Sequence, residues 1–384
     1  MSDPPLCPES LDRVASGPGA TRWSPAPGRL ATMADVARAA GVSSMTVSRV
    51  INGREGVSQA VRAYVQSVIA RLGYHPNEAA RALGGYSPPR ICLLYRNPYA
   101  SHFPDFVKSS VEVAGRGLIH LVMRQCPTAA DAARVVEELA STVEGFILAP
   151  PLGEMTEVRR MLIETRAPAV ALATPLSDPS LTTIGVDDYA AAVAMTRHLV
   201  GLGHRRIGFI EGNPQQQASA VRRAGYLAAL TEAGVVEDAQ LIAPGLFTYR
   251  SGLDAAEKLL ALPQPPTAIF ASNDEMAAAT VTIALARGMT VPADLSVCGF
   301  DDTALATTIW PALTTVRQPL AEMAERAVVH LAALVDHRRK NALIRHARIE
   351  LPYSIVRRQS DAAPRSRPEE IGARQSDPTH QHIT

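Results

Sequence analysis

The sequence predicts a multidomain protein with an all-α head followed by an α/β core of parallel sheets divided into two lobes. Two patterns carry this. Residues 32–75 hold the 3.6-residue apolar period of helices throughout. From residue 91 to 356, short apolar runs alternate with helical stretches, the mark of parallel βαβ units. The whole chain, 384 residues, fits roughly two to three domains. About 265 residues of alternation exceed what one sheet usually needs, so two similar lobes are expected.

Taken in order, residues 1–31 are rich in Pro, Ser and Gly and read as a disordered extension. Residues 32–75 form the helical head. Residues 76–90 are a connector ending in GGYSPPR, whose glycines and prolines break structure. The core spans 91–358, with strands expected at ICLLY (91–95), HLVMR (120–124), GFILAP (145–150), AVALA (169–173), TTIGVD (182–187), RIGFIEG (206–212), TAIFAS (267–272) and SVCGFDD (296–302). Helices are expected between them, for example Ala190–Leu202 and Asp274–Arg287, with Gly288 closing the latter. Lobe one is expected at about 91–187 and 319–345, and lobe two at about 188–318 and 346–358. Residues 359–384 read as a second disordered tail. Its His380 and His382 are too sparse for a metal site, so no metal and no cofactor is expected.

Composition narrows the function classes. Hydrophobic residues make up 47% and charged residues 20%, ordinary for a protein with a sizeable core. No apolar run approaches the ~18 residues of a membrane span, and the N-terminus lacks an apolar signal region. Cys7, Cys92, Cys126 and Cys298 have no metal spacing and read as reduced thiols of a cytoplasmic protein. All but three of the 38 basic residues are arginine. Arginine suits phosphate and guanine, although a GC-rich genome gives the same bias.

The head has an unusual middle helix. Thr32 and Asp35 form a candidate capping box for a first helix that ends at Gly41. Ser43 caps a second, in which Val47, Val50 and Ile51 point inward toward Val36, Ala37 and Ala40. Ser44, Met45, Ser48 and Arg49 share its outward face, which carries no acid. Ser58 caps a third helix with the stripe Val61, Val65, Val68, Ile69 and Leu72. Two short helices at a glycine turn, braced by a third, make a helix-turn-helix, whose second helix enters the major groove. Arg49 can then fork onto guanine, Met45 can touch a thymine methyl, and Ser44 can serve either kind of base. Thr46 and Ser48 suit phosphates, which position without specifying. The competing reading is a solvated face on a small bundle.

The stretch TMADVARAAGVSSMTVSRVINGREGVSQAVRAYVQSVIARLGYHPNEAARAL closely resembles the head of the LacI/GalR family of bacterial transcription regulators. The likeness continues at HLVGLGHRRIGFIEG, SAVRRAGY, SND, GFDD and LTTVRQP, and covers roughly 32–357. It implies a core like the periplasmic sugar-binding proteins, a double-stranded, pseudo-palindromic DNA operator, a small-molecule effector, and a homodimer or tetramer in the bacterial cytoplasm at the nucleoid. It adds Asn52, which closes the TVSRVIN run, to the DNA contacts. It also implies a hinge helix at PNEAARALGG, which at about two turns is too short to be stable alone. There Leu83 would wedge into a central base step of the minor groove. The alternative for Leu83 is an ordinary contact with the head.

For the cleft between the lobes, the resemblance implies Arg222 (VRRAGY) as a charged donor, Asp301 (GFDD) as an acceptor, Asn273 (SND) beside them and Phe247 as an apolar wall. His102 and Phe103, in the loop after the first strand, are the candidates from lobe one. Each has a structural alternative: Arg222 as a loop brace, Asp301 as a cap, Asn273 as a turn residue, Phe247 as core, His102 as surface. The first loop departs from the NPFF of many members, and Ala173 and Thr174 stand where relatives often carry a charge. The cleft is therefore expected to be poorer in charge than usual.

The function expected is a sequence-specific, effector-controlled DNA-binding regulator, most simply a repressor. The alternative is a solute-binding protein of the periplasmic type without regulatory role, which would not need residues 32–85. An enzyme is not expected: GxSxG, GxxxxGK[ST], HExxH and a complete GxGxxG are all missing. Effector identity, operator sequence, inducer or corepressor logic and oligomer size are not legible.

Overall fold

The computed structural model describes residues 31–51, 56–72, 74, 88–175, 180–340, 342 and 346–365. Asn52, Leu83, the expected hinge helix and most of both expected tails lie outside them. The head and the core are separate units, 1–87 and 88–384.

In the head, α1 (Met33–Ala40), α2 (Ser44–Ile51) and α3 (Gln59–Leu72) form the expected three-helix unit. The Thr32–Asp35 capping box is present with both reciprocal bonds, and Gly41 takes the left-handed conformation at φ 64° that the tight turn needs. Ser43 Oγ accepts from Thr46 N at 3.1 Å, and Ser58 Oγ from Val61 N at 3.4 Å. Val36, Val47, Val50, Val65 and Val68 form the buried centre, closed by Tyr74. Arg62 ties α3 to the end of α2 by donating to the Val50 carbonyl at 3.4 Å.

The core has two six-stranded sheets. The first runs in the order β2 (His120–Gln125), β1 (Arg90–Tyr95), β3 (Gly145–Leu148), β4 (Ala169–Leu172), β5 (Thr182–Gly185), β11 (Arg348–Glu350). The second runs β7 (Ile242–Ala243), β6 (Ile207–Ile210), β8 (Ala268–Ala271), β9 (Ser296–Asp301), β10 (Thr314–Arg317), β12 (Ser354–Val356). Every pairing is parallel except β10 with β12. β3, β4, β6 and β8 are buried along their whole length, which is why they read as continuous apolar runs rather than alternating ones.

The helices of the first lobe are α4 (Phe103–Gly115), α5 (Ala129–Leu139), α6 (Thr156–Thr165) and, returning late in the chain, α12 (Leu320–Arg339). The second lobe has α7 (Asp188–Gly201), α8 (Gln217–Glu232), α9 (Tyr249–Leu260), α10 (Asp274–Ala286) and the short α11 (Leu305–Thr308). The helix expected from residue 190 starts two residues earlier, because Asp187 is its cap and accepts from Ala190 N at 2.9 Å.

Two expected boundaries are corrected. The last return between lobes does not fall near Arg345: β11 pairs with β5, from Arg348 opposite Thr183 to Glu350 opposite Gly185, so the chain crosses after Glu350. The expected tail from 359 does not begin there either. Residues 359–365 dock on the second sheet, where Ser360 and Asp361 are buried. Ser360 Oγ accepts from Thr314 N at 2.8 Å, and the Ala362 carbonyl meets buried His204 at 2.8 Å.

Candidate functional site

On α2, Ser44, Met45 and Arg49 are exposed, Met45 by 64%, while Thr46 and Ser48 are half-buried and Val47 and Val50 fill the core. Thr46 is partly committed, because its hydroxyl lies 2.9 Å from Ser43 Oγ in the cap. The face is therefore polar with one bare thioether and one arginine, and has no acid in its first turn. Such a face suits base edges and repels no phosphate.

In the core, a cleft of about 300 Å³ opens between the lobes at the carboxyl ends of the strands. Its wall includes His102, Arg222, Phe247, Asn273 and Asp301, so five of the six expected effector residues come together. Phe103 does not join them. It is buried with its ring 4.5 Å from that of Tyr95, because as the first residue of α4 it turns into the lobe-one core.

Arg222 organises the second-lobe wall. Projecting from α8, it donates to Asp188 Oδ1 at 2.8 Å and to the Ser272 carbonyl at 2.6 Å, and stands 3.9 Å from Asp301 Oδ1. Its Cζ lies 3.5 Å over the Phe300 ring, a cation–π contact on its apolar side. Asp301 ends β9 at φ 110°, strained backbone for a residue with a side chain, and accepts from Gln318 Nε2 at 2.7 Å. Burial pushes its carboxyl up to about 6, with Arg222 and Gln318 pulling it down and the charges of Asp188 and Glu275 adding to the rise. Asp302, the neighbour not chosen from GFDD, pairs with Arg317 and Arg358 instead, each at 2.6 Å. Asn273 caps α10, accepting from Met276 N at 3.0 Å, and donates to the Phe247 carbonyl at 3.0 Å. Phe247 is held at φ 60° with its ring over Gly212. For Arg222, Asn273 and Asp301, bracing and cleft lining are thus the same placement. On the first-lobe side His102 is half-buried, and burial, with the nearby charge of Arg222, holds its imidazole down to about 4. It is neutral near pH 7.

Several residues at the site were missed by the sequence reading. Asp188 pairs with Arg222 from the start of α7. Glu154 and Glu275 bridge the lobes in opposite senses. Glu154, in lobe one, accepts from Gln217 N at 2.7 Å and so supplies α8 with the N-terminal acceptor its own Gln216 does not provide. Glu275, in lobe two, accepts from Ser101 N at 3.0 Å and Tyr249 N at 3.2 Å. Arg96, Asn97, Asn213 and Gln318 also line the cleft. Two arginines and two acids stand in its wall, while Ala173 adds no charge.

Residues 32–77 match the model of bacterial regulatory proteins of the lacI family, and 196–360 that of the periplasmic binding protein-like domain. Catabolite control protein A of Priestia megaterium is 32% identical over 333 residues, covering 86% of this chain and 98% of that protein. The chain belongs to the lacI family of bacterial regulatory proteins. Among solved structures, the transcriptional regulator CelR–cellobiose complex is 29% identical with a TM-score of 0.64, covering 86% of this chain and 99% of that one. The lac repressor dimer bound to operator and the anti-inducer ONPF is 26% identical with a TM-score of 0.63, covering 87% and 100%.

This LacI-family chain is accordingly a DNA-binding transcription regulator, with an N-terminal helix-turn-helix and an α/β core of the periplasmic-binding-protein type. The alternative of a solute-binding protein without regulatory role fails on the lacI-family match of the head. No described helix is long and apolar enough to cross a membrane, and the described residues hold no cluster of metal-ligating side chains.

Proposed function

We propose that this LacI-family regulator is a repressor that binds a pseudo-palindromic operator as a homodimer, one head per half-site, in the bacterial cytoplasm. Its operator affinity is set by a sugar-like or nucleoside-like effector held between the lobes. In this reading Arg49, Met45 and Ser44 meet base edges, and Thr46 and Ser48 meet phosphates. By motif, Asn52 adds a contact beside them and Leu83 wedges the minor groove. The cleft binds and does not catalyse.

The observation that carries the effector half is the wall itself. A buried donor (Arg222), a buried acceptor (Asp301), a neutral imidazole (His102) and an aromatic face (Phe247) converge from both lobes. That set fits a ring bearing hydroxyls. Ligand that bridges the lobes favours one lobe arrangement over another, and differential affinity for two arrangements is all that switching needs. The sugar in the CelR complex and the operator-bound lac repressor dimer support the ligand class and the dimer.

The test is a thermal-shift panel of mono- and disaccharides, polyols, sugar acids, nucleosides and purine bases. A ligand at 100 times its Kd adds about 2.7 kcal/mol to the native state, which raises Tm by a few degrees. A hit abolished by Arg222→Ala and by Asp301→Ala supports the reading. Silence across the panel from protein that still binds its operator refutes it.

A further inference from the structure

Arg96 is the arginine of the cleft wall that the proposed function leaves unused. It follows β1 directly, is half-buried, and donates through Nε to the Pro127 carbonyl at 3.0 Å. That bond fixes one edge of the guanidinium. Its two terminal nitrogens have no partner among the described residues. Arg222 is the opposite case, its charge met by Asp188 at 2.8 Å and Asp301 at 3.9 Å. Neither acid of the wall forms an ion pair with Arg96 among the described residues: Glu275 accepts from two backbone amides and Asp301 from Gln318.

The amides of the wall add donors. Asn97 Oδ1 accepts from Tyr99 N at 3.0 Å, and Asn213 Oδ1 from Gln215 N at 2.9 Å. A backbone N–H requires an acceptor, so these bonds fix which end of each amide is the oxygen and leave its NH₂ as a donor. Arg96, through its terminal nitrogens, and the NH₂ groups of Asn97 and Asn213 thus bring hydrogen-bond donors to one cleft.

We propose that the effector carries an oxyanion, a carboxylate or phosphate on a polyhydroxyl body, and that Arg96 grips it with its two terminal nitrogens. The proposal rests on the reading of the cleft as the effector site. Its force comes from desolvation. A ligand that fills the cleft displaces water from the guanidinium, and a neutral one leaves that charge uncompensated. An oxyanion replaces the lost water with two parallel charge-assisted bonds, the geometry for which a guanidinium is shaped.

The experiment is calorimetric titration of the full chain with matched pairs: D-gluconate and D-galacturonate as carboxylates, D-glucose 6-phosphate as the phosphate, and D-glucose and D-galactose as neutral counterparts. The expected result is an acidic member binding at least tenfold more tightly than its neutral counterpart. Arg96→Gln should remove that advantage, so that the acidic and neutral members of a pair bind with similar Kd. Arg96→Lys, which keeps the charge and loses the fork, should fall between, and the stronger arm names the oxyanion. A neutral sugar that binds best, unaffected by Arg96→Gln, overturns the oxyanion but keeps the cleft as effector site. An acidic member that binds equally well to Arg96→Gln overturns the role of Arg96. No binding in either arm, with operator binding intact, overturns the proposal, and the thermal-shift panel then decides the reading it rests on.

Discussion

Arg222 is the residue whose loss the structure prices most clearly. Arg222→Met keeps most of the side-chain stem and deletes the guanidinium. Asp188 loses its 2.8 Å partner, Asp301 its cation at 3.9 Å, and the Ser272 carbonyl a 2.6 Å donor. All three side chains lie in the interior, with Arg222 5% exposed, Asp188 3% and Asp301 5%. Removing one partner of a buried ion pair costs about 3–5 kcal/mol, against a total stability of about 5–15 kcal/mol for a typical domain. The sign of the pH dependence follows. Asp188 and Asp301 already sit above the ordinary carboxylate range, first because of burial, and Arg222 opposes that rise. A raised acid favours the folded state below its unfolded pKa of about 4, and this contribution is lost as pH climbs through the folded pKa. Without Arg222 both folded values rise further, so the lost stability should be larger at pH 8 than at pH 5, while the Ser272 carbonyl's lost donor costs the same at both. Urea melts of both proteins at the two pH values measure it, and adding Asp188→Asn to Arg222→Met should recover part of the loss. Equal destabilisation at pH 5 and pH 8, or no rescue by Asp188→Asn, would refute the account of Arg222 as the charge that holds this wall together.

Three further outcomes are expected. Arg49→Ala should weaken operator binding by about 1–3 kcal/mol and relax one base pair per half-site in a binding-site selection; equal losses on operator and random duplex would make Arg49 a phosphate contact. Gly212→Ala would place a Cβ inside the Phe247 ring, so it should overpack the wall at about 1–3 kcal/mol and weaken effector binding, read by thermal shift with and without ligand. Asp361→Ala should cost about 2–3 kcal/mol in a denaturant melt, since Asp361 holds His198 at 2.9 Å, Arg357 at 3.1 Å and the Thr314 hydroxyl in the segment first read as tail.

The head was almost wholly legible because its signals are local. A capping box, two serine caps and a left-handed glycine all lie within three or four residues of what they act on. Seven of the eight strands read from the sequence are central, and central parallel strands must be apolar on both faces; β2 is a half-buried edge. What escaped is nonlocal. RIE at 348–350 and SIV at 354–356 are three residues each and have meaning only beside β5 and β10. The 359–365 segment looks like a tail because Ser360 and Asp361 are polar, yet their bonds to β9, β10 and His198 make burial affordable. In the cleft, motif placed Arg222, Asn273 and Asp301, while nothing local marks Glu154, whose role depends on a helix 63 residues later in the other lobe. Phe103 was misplaced for a related reason. Adjacent to His102 in sequence, it begins α4 and turns to the opposite side.

The measurement that bears most directly on the whole account is the affinity of the regulator for an operator duplex, recovered by selection from a random pool, with and without the ligand found in the thermal-shift panel. Fluorescence anisotropy at fixed salt gives both constants. The account predicts that saturating ligand changes operator affinity by roughly 5–150-fold, the usual range of coupling between two sites on one protein. A ligand that stabilises the core yet leaves operator affinity unchanged would contradict it.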